Sequence, residues 1–205
     1  MASVLALSPL QAQKRLAVDI TIPRDTLTAG DGPTVEASNV LQDAKTIELL
    51  KSGFSARLHY RLELWRKGTI WDSRERFAEW DVLVDYEPAQ NLYRVYRKVG
   101  TVVSELGHGS TLARAEELVD RPHAVVIGPT QPGKRYYYVI HLDLTSLSGS
   151  DLDETLRWLQ GEAAPAVHGR GNPATAIKNG LESLFSKLLG RHETYDRPSA
   201  LFIAG

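Results

Sequence analysis

Residues 55–64 read Ser55-Ala56-Arg57-Leu58-His59-Tyr60-Arg61-Leu62-Glu63-Leu64. Every even position is apolar or aromatic, and every odd position is polar or charged. A period of two held over ten residues marks a strand with one buried face and one wet face. Residues 77–86 repeat the pattern, with Ala78, Trp80, Val82, Val84 and Tyr86 on the apolar phase. Residues 134–144 repeat it again through Tyr136, Tyr138, Ile140, Leu142 and Leu144. Glu87-Pro-Ala-Gln-Asn91 is a turn, with Pro88 presetting one φ angle, so 77–99 is a hairpin. Residues 66–76 are too long for a tight hairpin between the first two strands. Strands alternating with crossover helices are absent, which excludes a parallel α/β sheet. The fold class expected is mainly β with flanking helices: an antiparallel β-sheet or sandwich plus an amphipathic C-terminal helix.

Shorter elements surround these strands. Leu16, Val18, Ile20 and Ile22 alternate with Ala17, Asp19 and Thr21, so 16–22 is a further strand. Residues 24–38, with Gly30, Gly32 and Pro33, read as a loop. Residues 39–52 read as a helix capped by Ser38 or Asn39 and stopped by Gly53. Residues 100–109 read as a loop, 111–120 as a short helix capped by Ser110, and 124–127 as a short buried strand. Ser150 caps a helix at 151–160, with Gly161 at its stop. Residues 161–173, rich in Gly, Ala and Pro, read as a linker. Residues 174–189 form an amphipathic helix whose stripe is Ile177, Leu181, Leu184, Phe185, Leu188 and Leu189. The expected organisation is a β-rich domain at 14–160, the linker, and a helix and tail at 174–205.

The first thirteen residues are small and apolar before the chain turns polar at Lys14. They resemble the end of a signal peptide with Ala12 as a cleavage residue, though no basic segment precedes them. The alternative is the frayed terminus of a cytoplasmic protein.

Composition narrows the function classes. The chain has 205 residues, 42% of them hydrophobic, and a net charge of −1. No overall field draws it to nucleic acid or anionic lipid. It has no Cys, which excludes disulfide scaffolds, thiol catalysis and thiolate metal sites. Gly128-Pro-Thr-Gln-Pro-Gly133-Lys134-Arg135 superficially resembles a phosphate loop. Arg135 stands where a magnesium-binding hydroxyl is needed, two prolines remove N–H donors, and a strand follows instead of a helix. A turn is the better reading. Basic and aromatic residues interleave on Tyr93-Arg-Val-Tyr-Arg97-Lys98, but the acids of 77–87 dilute them, so no nucleic-acid partner is expected. Acids such as Glu79, Asp81 and Asp85 are expected to pair with Arg57 and Arg94 across the sheet.

The six histidines are dispersed, and no Gly-x-Ser-x-Gly elbow or His-Glu-x-x-His occurs. His141 and Asp143 share one strand face, and His59 on another strand is the residue that would complete a polar site with them. Such a site would serve a small-ligand protein or a hydrolase. The simpler expectation is a solvated sheet face, with no cofactor and no metal.

Leu62-Glu-Leu-Trp-Arg-Lys67, Trp71-Asp, the approach from Arg74 to Trp80, Val84-Asp-Tyr86, Asn91-Leu-Tyr-Arg94 and Val139-Ile-His-Leu-Asp-Leu-Thr145 occur in that order. This succession resembles a family of bacterial exported proteins known only as a domain of unknown function. The likeness covers about residues 14–160. It implies a periplasmic or envelope location behind a signal peptide and supplies no catalytic residues. The function expected is a non-enzymatic binding or scaffold domain that contacts a protein partner, with membrane contact at most peripheral. An envelope sensor module serving a signalling kinase is a further alternative.

Overall fold

The computed structural model describes residues 16–148 and 193–205. The signal-peptide reading of 1–13, the helix at 151–160, the linker at 161–173 and the amphipathic helix at 174–189 lie outside the described residues.

The chain is mainly β. In order come β1 (Ala17–Thr21), β2 (Thr26–Leu27), β3 (Thr34–Ser38), α1 (Ala44–Lys51), β4 (Phe54–Arg66), β5 (Ser73–Glu87), β6 (Leu92–Val99) and β7 (Val102–Gly109). Then follow α2 (Leu112–Val119), β8 (His123–Ala124), β9 (Arg135–Ser148), β10 (Glu193–Pro198) and β11 (Phe202–Ala204). An eight-stranded sheet runs β2-β11-β9-β4-β5-β6-β7, with β10 also on β9, and a three-stranded sheet runs β1-β3-β8. All pairs are antiparallel except β2 with β11.

The period-two reading places the core. Ala56, Leu58, Tyr60, Leu62 and Leu64 of β4 are buried, as are Trp80, Val82 and Val84 of β5 and Tyr136, Tyr138, Ile140, Leu142 and Leu144 of β9. Val18, Val35 and Ala37 of the small sheet, Leu50 of α1, and Ala115, Leu118 and Val119 of α2 join the same cluster. Each large side chain in it is worth about 1.5–3 kcal/mol of burial before entropy.

Several local readings change. The helix read from 39 starts later: Asp43 caps α1 by accepting from the Thr46 N–H at 2.8 Å. Thr111, one residue past Ser110, caps α2. The stretch 24–38 contains β2 and β3, and 124–127 contributes only the end of β8. Within 100–109, which read as a loop, Val102–Gly109 is a strand. Gly100, at φ 57°, turns the chain so that Val99 pairs with Val102. Its polar and glycine-rich composition hid a strand whose residues are largely exposed. A bulge at Leu106 then brings in Gly107 at φ 146°, where an added Cβ would meet Leu118 at 3.0 Å. The bulge and the bare glycine let α2 sit close on β7.

The largest change is at the C-terminal end. What read as a tail belongs to the domain. Glu193 to Pro198 pairs with Leu144 to Val139, and Phe202 pairs with Tyr136. Phe202 is buried and stacks on Tyr138 at 5.1 Å. The β-rich domain therefore includes residues 193–204, which pair with β9 and, through β11, with β2. Phe202→Ala should cost about 3–5 kcal/mol in urea unfolding, the usual loss for a truncated core aromatic. An unchanged midpoint would return these residues to a peripheral tail.

Candidate functional site

Three places carry polar or exposed features that the core does not explain: the outer sheet face, a buried cluster on the inner face, and the β4–β5 hairpin tip.

On the outer face, register brings the sequence-read residues close. His59 stands opposite Asp143, and Arg61 opposite His141. Their hydrogen bonds nevertheless run to different partners. His59 Nδ1 lies 2.8 Å from Asp81 Oδ1, and because a carboxylate only accepts, the imidazole is the donor. His141 Nδ1 donates to Asp196 at 2.6 Å, and Asp143 accepts from the Thr194 hydroxyl at 2.7 Å. Among the described residues no group of three or more His, Cys, Asp or Glu side chains is placed to hold a metal ion.

Two buried carboxylates organise this face. Asp81 accepts from Arg57 Nε and Nη2 at 3.0 and 2.8 Å as well as from His59, and Lys98 lies 4.0 Å away. The Arg57 pairing is the one read from the alternation. Burial pushes the Asp81 carboxyl up, but the His59 hydrogen bond and the Arg57 charge together hold it below the usual carboxylate range. Glu63 accepts from Arg61 at 2.9 Å, Arg74 at 2.7 Å and Trp65 Nε1 at 2.9 Å. Burial likewise opposes its ionisation, and those hydrogen bonds outweigh it. Arg61 and Arg74 also lie over the exposed Phe77 ring. These are satisfied structural hubs.

The inner cluster is different. Tyr60 and Trp80 are cross-strand partners on β4 and β5, stacked with centroids 4.9 Å apart. His123 of β8 stands edge-on to both, at 5.8 and 6.0 Å. Arg97 of β6 lies over the Trp80 ring at 6.0 Å, and Asp120 ends α2. Among the described residues, Tyr60 Oη, Trp80 Nε1, Arg97 Nε, Asp120 Oδ1 and His123 Nε2 are buried without a hydrogen-bond partner, while the Asp120 carboxylate as a whole accepts from the Asn39 backbone N–H. An unmet buried polar atom costs about 1–3 kcal/mol, so five in one cluster is a conspicuous expense. One sequence signal pointed here: Arg97 falls on the apolar phase of β6 with Tyr93 and Val95. Asp120 and His123 gave none, because only the packing of β8 under β4 brings them in.

Burial, then the charge of Glu116, raises the Asp120 carboxyl to about 6. Burial, then Arg97, lowers the His123 imidazole to about 4.

The hairpin tip spans residues 67–72. Asp72 fixes it by accepting from Lys67 Nζ, the Gly68 N–H and the Tyr137 hydroxyl at 3.0, 3.1 and 2.9 Å. The Lys67 N–H donates to the Arg135 carbonyl on β9, and Tyr137 stacks on Trp65. An added Cβ at Gly68 would fall 1.8 Å from the Trp71 carbonyl, so only glycine closes this turn. At its apex Ile70 is 82% exposed and Trp71 84% exposed.

Compared with protein-family models, curated proteins and solved structures, the chain matches nothing. Among the described residues no helix is long and apolar enough to cross a membrane.

Asp120 and His123 impose opposite pH slopes. Between about pH 4 and 6 the folded Asp120 holds a proton that the unfolded chain has lost, so its contribution falls as pH rises. Between about pH 4 and 6.5 the folded His123 lacks a proton that the unfolded chain holds, so its contribution rises with pH. Asp120→Asn should therefore raise the urea midpoint at neutral pH and steepen its fall on acidification through this range. A parallel pH profile in variant and wild type would contradict a carboxyl whose ionisation is opposed by its half-buried position.

Proposed function

We propose that this protein is a binding domain of the bacterial cell envelope that acts through contact with another protein. The observation that carries this is the hairpin tip. A large apolar pair is held out in water by a turn whose backbone and side chains are fixed from below. An exposed tryptophan beside an isoleucine on a fixed turn has the character of an interface anchor, because little backbone entropy is lost when it is covered. The order imposed by Asp72, Gly68 and Tyr137 has no evident use to the core. The envelope location rests on the resemblance in the central block and on the apolar start of the chain. In the same reading the two sheets form a small sandwich, and the stripe from Ile177 to Leu189 is a second contact element.

The hydrolase alternative at His59, His141 and Asp143 draws no support from the geometry, since each of the three has its own partner. The partner expected at the tip is a protein with an apolar pocket sized for an indole.

The test is affinity capture from the native envelope with the full chain and an Ile70→Ser, Trp71→Ala variant, read by the recovery of specific co-purifying proteins. The variant should keep the wild-type melting temperature, because neither side chain is packed. Recovery of a specific partner should drop by about tenfold or more, the scale of a lost hot spot. Equal recovery would remove the tip from the interface. Loss of binding to lipid vesicles in the same variant, with protein capture intact, would replace the protein partner with a membrane surface.

A further inference from the structure

Strand β7 is the last on its side of the large sheet. Its first half, Val102 to Glu105, is exposed at every residue. Among the described residues the backbone of this stretch is hydrogen-bonded to β6 alone. Its other N–H and C=O groups point away from the sheet, toward the place a further strand would take. The free stretch ends at Leu106, where the bulge bends the strand and Arg121 Nη1 donates to the Leu106 carbonyl at 3.4 Å.

Sheet edges are usually guarded by Lys, Pro or an inward-pointing charge. From Val99 to Leu106 there is no Lys, Arg or Pro. Val99, Val102 and Val103 stand in water instead, Val102 at 68% exposure. The single acid, Glu105, is already held by His108 at 2.8 Å and Arg94 at 3.8 Å. Such an edge selects an extended apolar strand without a charge of its own to satisfy, and a second copy of β7 is one. A twofold contact through the same edge is also closed, so no free β7 edge is left over.

The register follows from the faces. Val103 and Glu105 stand opposite Lys98 and Tyr96 on the outer face, and Val102 and Ser104 opposite Val99 and Arg97 on the inner one. A twofold axis normal to the sheet sets outer face beside outer face, so only residues of one phase oppose each other. Centred on Ser104, the pair would set Val103 against Glu105 and draw the two Glu105 carboxylates together. Centred on Val103, it opposes the two Val103 side chains, sets Val102 against Ser104 and keeps the carboxylates apart.

We propose that two copies of this chain pair antiparallel through β7 about a twofold axis at Val103, so that the large sheet continues from one copy into the other. The free stretch is short and covers less than the roughly 1,200 Å² of a stable complex, so the dimer is reversible, with a dissociation constant between about 10 µM and 1 mM. The pairing goes beyond the contact at the hairpin tip and does not rest on it.

The experiment is sedimentation velocity on the full chain across that concentration range, where monomer should give way to dimer. Val103→Lys sets like charges directly opposite each other and should weaken the dimer at least about tenfold. Its melting temperature should stay that of the wild type, because Val103 is exposed. The chain has no Cys, so Val103→Cys supplies a single thiol. Opposed residues have Cα atoms about 4.5–5.5 Å apart, within the range of a disulfide. Mild oxidation should therefore link Val103→Cys into dimers and leave Val126→Cys, exposed on a loop, unlinked. The Ile70→Ser, Trp71→Ala variant should dimerise like the wild type, which separates this edge from the tip. A chain that stays monomeric throughout would overturn the proposal. Slow amide exchange at 102–105 in that monomer would then assign the edge to a segment of the same chain, and fast exchange would leave it to a strand of another protein. A dimer indifferent to Val103→Lys, or equal linking of the two cysteine variants, would equally overturn it.

Discussion

Strand β4 is hydrogen-bonded along both edges, to β5 over residues 56–66 and to β9 over residues 54–66. Its side chains alternate between a sealed apolar interior and a face of ion pairs. A slip of one residue would carry Leu58, Leu62 and Leu64 into water and Arg57, Arg61 and Glu63 into the core. The register is therefore fixed from both sides at once. The other elements are placed by this constraint: β5 and β9 by direct pairing, β6 and β7 beyond β5, and β10 and β11 on the far edge of β9. The hairpin tip also inherits its position, because Asp72 is anchored to Tyr137 across from the end of β4.

The two polar faces of this strand system obey the same electrostatics with different outcomes. Outside, Asp81 and Glu63 are buried yet ionised, because each collects donors from neighbouring strands. Removing one donor from such a hub is costlier than the pair's net worth, since a buried charge is left behind. Inside, Tyr60, Trp80, Arg97, Asp120 and His123 are brought together without satisfying one another. The difference is one of neighbours: the outer carboxylates face cationic side chains on adjacent strands, whereas Tyr60, Trp80 and His123 face one another's rings.

Sequence periodicity revealed the fold wherever a strand has one wet and one dry face. The alternation through Leu58, Trp80 and Ile140 places the sheet's core face. It could not find β7, whose residues Val102 to Glu105 are exposed on both phases. Nor could it find β2 and β11, which are two and three residues long and exist only through pairing with each other and with β9. The C-terminal strand β10 reads Glu-Thr-Tyr-Asp-Arg-Pro, with no apolar phase to betray it. The outer-face histidines were placed on the right face but not with the right partners, because hydrogen-bond choice depends on strands the pattern does not order. The inner cluster was nearly silent for the same reason. Its members come from β4, β5, β6, β8 and the end of α2, and only tertiary packing unites them.

The return of the chain to β9 has a bearing on the order of assembly. Ile203 pairs with Thr26, and Asp196 stands beside His141, so contacts near the two ends of the described sequence close last on any chain made from one end. Until residues past 193 are available, one edge of β9 presents bare backbone donors and acceptors, and Tyr136 and Tyr138 lack the Phe202 ring that covers them. An open strand edge beside uncovered aromatic surface is a template for pairing with another chain. The partly made protein is thus exposed to misassembly from the completion of β9 until the chain past 193 is made, and its long-range pairings make it a slow folder by topology. A chain of this design gains from being held unfolded until it is whole.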